Sequence, residues 1–187
     1  MKNIIILLAV FLSFPLFAQE LVPSQIFWDT LKEHCGKAYE GTLELPENDE
    51  AFSGKKLVMH VRACSDTEMK IPFYVGDDKS RTWVLTMQEN ILSLKHDHRH
   101  KDGSEDAVNF YGGTASNPGK ADIQFFPADA HTQKIIPAAA TNVWWITVSD
   151  TTFTYNLRRL GTDRVFKVVM DLTTPIDTPD APWGWED

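Results

Sequence analysis

From Lys37 onward the chain is a succession of short, β-rich segments separated by turn-forming residues, and this regularity limits its possible folds more than any other feature. The segments 37–45, 56–64, 69–75, 81–88, 91–100, 107–114, 121–126, 142–149, 152–160 and 164–172 are rich in Val, Ile, Thr, Tyr, Phe and Trp. GDD, EN, NPGK, SD and LGTD punctuate them. Ahead of the first segment, PSQIFWDTLKEHCG has helical spacing: Ile26, Phe27 and Leu31 share a face, Ser24 is placed to cap the helix and Gly36 to end it. Sequential strands joined by tight turns pair antiparallel, and closing the sheet removes its exposed edges. The expected fold is therefore all-β, an antiparallel up-and-down β-barrel of about ten strands with one short N-terminal helix. DAHTQKIIPAA interrupts the strands as a helical turn or covering loop. The Pro-rich end reads as a surface tail over 175–187, which leaves 19–174 for the barrel domain.

The first 18 residues have a different character. Lys2, an apolar run from Ile4 to Phe14 and the small residue Ala18 are the parts of a secretory signal peptide over 1–18. The run is shorter than the roughly 20 residues of a membrane helix, and no cysteine follows it to carry a lipid. A secreted or periplasmic protein with no stable membrane anchor is expected. Its net charge of −8 becomes −9 when Lys2 leaves with the signal, and its Lys and Arg are scattered, so nucleic acid is excluded as a partner.

In an oxidising compartment the two cysteines invite a disulfide. A hairpin of 37–45 with 56–64 about PENDEAFSGK puts Lys37 opposite Cys64, with Cys35 just beyond. A small register shift, or a turn at Gly36, then joins Cys35 to Cys64.

A short helix followed by a glycine-containing first strand, GKAYEG, and about ten meandering strands ending in TFTYNLRRL and RVFKVVMDL resembles the calycin superfamily, particularly its fatty-acid-binding and nitrobindin-like members. Ala38 and Leu43 stand where the lipocalin Gly-x-Trp signature has Trp. The resemblance covers nearly the whole chain after residue 18, and it implies a barrel whose interior holds one small, mostly apolar ligand.

SRTWVLTMQ-EN-ILSLKHDHRH is the clearest hairpin, with Glu89 and Asn90 as a two-residue turn. That turn pairs Gln88 with Ile91, Leu85 with Leu94, Trp83 with His96 and Arg81 with His98. Alternation puts Leu92, Leu94, His96, His98 and His100 on one face and Lys95, Asp97 and Arg99 on the other. Leucine burial, at about 1.5–3 kcal/mol per side chain, sets the first face inward, and Lys95, Asp97 and Arg99 are expected to face solvent. Arg81, Trp83, His96 and His98 then line a polar cavity mouth suited to an anionic or metal-bearing small molecule. Arg81 has a structural alternative, a clamp on Asp77, Asp78 or Asp97.

The same stretch is similar to the first motif of the cupin family: His98-x-His100, four residues, then Glu105, with His131 in the later position. That resemblance implies a divalent transition metal held by His98, His100, Glu105 and His131 in a metal-dependent enzyme. HDHRHKDGSED also reads as a solvated, charged hairpin end, which leaves an extracytoplasmic interaction domain as a third reading. His34 and His60 are expected to pack or lie at the surface. Trp144 and Trp145 must face opposite sides of one strand, and Trp183 and Trp185 could cover a barrel end. There is no G-x-S-x-G, H-E-x-x-H, C-x-x-C or P-loop, so the sequence alone specifies no catalytic residue.

Overall fold

A computed structural model describes residues 22–186. The signal-peptide expectation lies outside them. Helix α1 (Pro23–Lys32) leads into strands β1 (Ala38–Leu45), β2 (Leu57–His60), β3 (Ala63–Cys64), β4 (Glu68–Val75), β5 (Asp78–Gln88) and β6 (Ile91–His98). There follow β7 (Tyr111–Thr114), β8 (Ile123–Pro127), helix α2 (Ala130–Ile135), a 3-10 turn (Pro137–Ala139), β9 (Asn142–Val148), β10 (Thr152–Arg159) and β11 (Val165–Asp171).

All pairs are antiparallel, in the order β7-β6-β5-β4-β2-β1-β11-β10-β9-β8, with β3 an offset piece beside β4. Apart from β3, strands consecutive in sequence neighbour one another from β1 to β7 and from β8 to β11, and β1 meets β11 to join the two runs. The last seam, β7 against β8, is held by the single bridge Gly113–Ala128, so the ten-strand barrel is nearly closed. Glycine is required at this seam because a Cβ on Gly113 would lie 1.9 Å from the Pro127 carbonyl oxygen.

Period-two burial fills the interior. On β5, Trp83 and Leu85 point inward; on β6, Leu92, Leu94 and His96; on β10, Phe153, Tyr155 and Leu157. The two ends of the barrel differ. One is sealed by α1, whose Phe27, Trp28 and Leu31 join the core. Ser24 does not cap this helix. Val22 occupies the N-cap position, and the buried Ser24 hydroxyl donates to the Asn90 carbonyl at 2.7 Å, tying the plug to the β5–β6 turn. The other end is ringed by the loop 46–56, the loop 99–110, the α2 segment and the turn 160–164.

The β5–β6 register is the expected one: Gln88–Ile91, Leu85–Leu94, Trp83–His96 and Arg81–His98 are all partners. Glu89 and Asn90, with φ of 49° and 63°, form the left-handed two-residue turn that matches strand twist. Three further expectations need correction. The strand β2 ends at His60, and Lys37 faces Val61 rather than Cys64, as Val61 N donates to Lys37 O at 3.0 Å. Cys64 sits instead on β3 opposite Met69, and the turn at Gly36 (φ 79°) swings Cys35 to it, so the disulfide forms with a Cα separation of 6.2 Å. The second correction concerns Asp97, which is only 7% exposed although it lies on the outer face. Arg99 donates to it at 2.8 Å and Asn109, from the loop folded over it, at 3.2 Å.

The third concerns the tail. Trp183 and Trp185 do not cover a barrel end. The tail crosses the outer surface, where Ile176 pairs with Ala38, the Tyr74 hydroxyl donates to the Asp180 carbonyl, and Trp183 N donates to Lys79 O. Trp185 ends beneath the cations of Arg62 and Lys70. Among the described residues no helix is long and apolar enough to cross a membrane.

Candidate functional site

Between the packed lower half of the barrel and its ringed end lies a cavity of about 370 Å³. All four residues expected at a polar mouth line it: Arg81 and Trp83 from β5, His96 and His98 from β6. The hairpin register puts them there, since an inward row that begins with leucine at the sealed end must finish with these residues at the open one.

Across the interior, β10 supplies Tyr155, Leu157 and Arg159, and β9 supplies Asn142 and Trp144. The loops add Phe52, Asp106, Val108 and Arg164. Of the pair expected on opposite faces, Trp144 is the one that faces inward, while Tyr111, Tyr155, Arg159 and Arg164 were not singled out from the sequence. The alternation of TFTYNLRR carried the signal for two of them, because Phe153, Tyr155, Leu157 and Arg159 form one inward row. Nothing in the sequence could assign Arg164, which leaves a turn rather than a strand.

The polar groups of the wall form a defined network. His96 is only 4% exposed, and burial depresses its pKa from 6.5 to about 3, so its imidazole is neutral. Its Nδ1 lies 2.9 Å from the Tyr111 carbonyl oxygen, which can only accept, so the proton is on Nδ1. Nε2 is then the acceptor, and the Tyr155 hydroxyl donates to it at 2.7 Å. The Tyr111 hydroxyl is paired with His98 Nε2 at 3.0 Å. Burial lowers the His98 pKa as well, and the nearby Arg81 charge adds to the effect, while Asp106, Asp78 and Asp97 oppose it. Burial pushes the Tyr111 phenol up to about 12 and the Tyr155 phenol well above its usual value. At neutral pH these hydroxyls stay protonated and the buried imidazole stays uncharged.

The fixed charges of the wall are therefore Arg81, Arg159 and Arg164 against Asp106. Arg81 lines the cavity and also bonds Asp78 at 2.5 Å. Arg159 Nε donates to Asn142 Oδ1 at 2.9 Å. Aromatic rings complete the lining: Trp83 stacks on Phe73 at 4.7 Å and on Tyr155 at 4.5 Å, and His96 stacks on Tyr111 at 4.5 Å.

The four residues of the cupin-like set are not brought together. The strand ends at His98, so His100 does not continue the inward face; its N–H instead donates to Ser104 O within a turn. Glu105 pairs with Arg99 at 3.2 Å, His131 Nε2 lies 3.1 Å from the Asn109 carbonyl, and His98 is held by Tyr111. Among the described residues no group of three His, Cys, Asp or Glu side chains could hold a metal ion. His34 is bonded to the Tyr39 hydroxyl at 2.6 Å, and His60 is buried under the outer face.

Comparison of the chain with protein-family models, with curated proteins and with solved structures returns no match. The barrel is compatible with a calycin-like build on its own geometry.

Proposed function

We propose that this protein works outside the cytoplasm and binds one small, largely apolar anion inside the barrel. The reading rests on one observation above all: an aromatic-walled cavity of about 370 Å³ carries three arginines and a single carboxylate. That volume lies at the lower end of the ~300–1,000 Å³ range of small-molecule pockets. Arginines left without enough carboxylates attract an anion, and the aromatic surface gives its apolar part a place to leave water. The neutral His96 spends both ring nitrogens on Tyr111 and Tyr155, so it orients the wall and adds no charge. Export is supported by the Cys35–Cys64 disulfide, a bond that persists in oxidising compartments, and by the signal-like character of residues 1–18.

Anilinonaphthalene sulfonate, an apolar anion that fluoresces when it leaves water, tests the reading. It should bind with a stoichiometry of one and quench the emission of Trp83 and Trp144, both of which line the cavity. Leu157→Trp, which fills the cavity from a buried wall position, should weaken binding about tenfold while unfolding at a similar temperature. Non-saturable binding, or binding indifferent to Leu157→Trp, would refute an interior site.

A further inference from the structure

The apolar lining of the cavity is mostly aromatic. Phe52, Phe73, Trp83, Trp144, Tyr155 and Phe166 contribute rings, against only Val108, Ile136, Ala139 and Leu157 from the aliphatic and small residues. These rings also hold one another. Trp83 is stacked on Phe73 and Tyr155 with interplanar angles of 14° and 21°, and Phe52 stacks on Phe73 at 19°. Aromatic side chains have few rotatable bonds, and a stacked row has fewer usable arrangements still, so this wall cannot remould itself around a flexible chain as a Leu- or Met-lined wall does. A rigid guest that is already flat loses little conformational freedom against it.

The arginines differ in availability. Arg81 is engaged by Asp78 and lies over the Phe52 ring at 5.5 Å. Arg159 spends its Nε on Asn142, and among the described residues neither Arg159 nor Arg164 has a carboxylate partner. A carboxylate is the oxyanion that the forked guanidinium geometry receives in a bidentate manner. An aromatic cage alone would also suit an organic cation, but three arginines against Asp106 exclude one.

Building on the proposed anion-binding role, we infer that the ligand is a small, flat, conjugated ring system bearing a carboxylate, received by Arg159 and Arg164, rather than an alkyl carboxylate. Its rings lie against the aromatic wall and its carboxylate stays toward the mouth. Asp106, the one carboxylate on the wall, works against that charge.

Calorimetric titration of the whole protein with naphthoate, naphthamide and decanoate, three molecules of similar size, separates the contributions of ring and charge. Naphthoate should bind at least about tenfold more tightly than either of the others. Arg159→Gln and Arg164→Gln should each remove most of that advantage over naphthamide, and Asp106→Asn should strengthen naphthoate binding several-fold. Arg164 is exposed, so its replacement leaves the fold intact. Decanoate binding as tightly as naphthoate, or naphthamide equalling it, would overturn the ligand class while leaving an interior site standing. Failure of all three together with anilinonaphthalene sulfonate would overturn both.

Discussion

The neutral, buried His96 makes stability depend on pH in a way that can be worked out. In the native barrel its pKa is depressed from 6.5 to about 3. An unfolded chain takes up this proton near pH 6.5, whereas the folded protein resists it until about pH 3. Between those values the unfolded state binds more protons, so stability falls as pH falls. Each unit of pKa difference is worth about 1.36 kcal/mol, and acidification from about pH 7 to about pH 4 should cost roughly 3 kcal/mol through this one imidazole. His34, His60 and His98 are shifted in the same direction and add to the slope. Urea unfolding at intervals over that range measures the total, and His96→Gln, which keeps a donor and an acceptor but cannot titrate, isolates the His96 share. The wild-type slope should exceed that of the variant by about 3 kcal/mol over the interval. Parallel pH profiles, or an imidazole resonance of His96 titrating near 6.5, would show that the ring is not held neutral by burial.

Two further outcomes are expected. The Cys35–Cys64 bond spans a sequence separation of 29, which closes a loop of 30 residues counting both cysteines. Chain-entropy reasoning for such a loop gives about 3.6 kcal/mol, so reduction or a double Cys→Ser replacement should lower the thermal midpoint by roughly 7–14 °C; a loss under about 1 kcal/mol would refute the entropic estimate. Gly113→Ala places a Cβ 1.9 Å from the Pro127 oxygen, so it should open the β7–β8 seam at a cost of about 1–3 kcal/mol and speed amide exchange at Asp129, whose N–H donates to Gly112 O across the seam, and unchanged exchange there would show that the bridge is not what holds the seam.

Much of this was legible because the informative signals were local and periodic. The Glu89-Asn90 turn fixed the β5–β6 register, and Leu92 and Leu94 fixed its direction, so His96 fell inside by arithmetic. Burial of Asp97 was not legible. Alternation says which face a side chain takes and nothing of what later folds over that face, and here Asn109 and Arg99 supply the cover. The spacing of His98, His100 and Glu105 misled for a related reason. It presumes that a strand runs through His100, but the chain turns at Gly103 (φ 84°), where Gly184 of the tail packs so closely that a Cβ on Gly103 would lie 2.9 Å from it. That contact joins residues far apart in sequence and leaves no local trace.

The cavity itself follows from several such rows acting together. From the sealed end to the open end, β5 presents Leu85, Trp83 and Arg81, β6 presents Leu94, His96 and His98, and β10 presents Phe153, Tyr155, Leu157 and Arg159. Each row grades from apolar to polar in the same direction. Because β10 lies far from β5 and β6 in the order of the sheet, closing the barrel brings these gradients face to face, which is how Tyr155 reaches His96 across the interior. Large apolar side chains fill the lower half. Toward the mouth the polar groups must keep partners or solvent, and the space they leave is the cavity. A guest that meets these rows gains most when its apolar part points down the barrel and its charge stays at the arginines, so the strand alternation that closes the barrel also orients the proposed ligand.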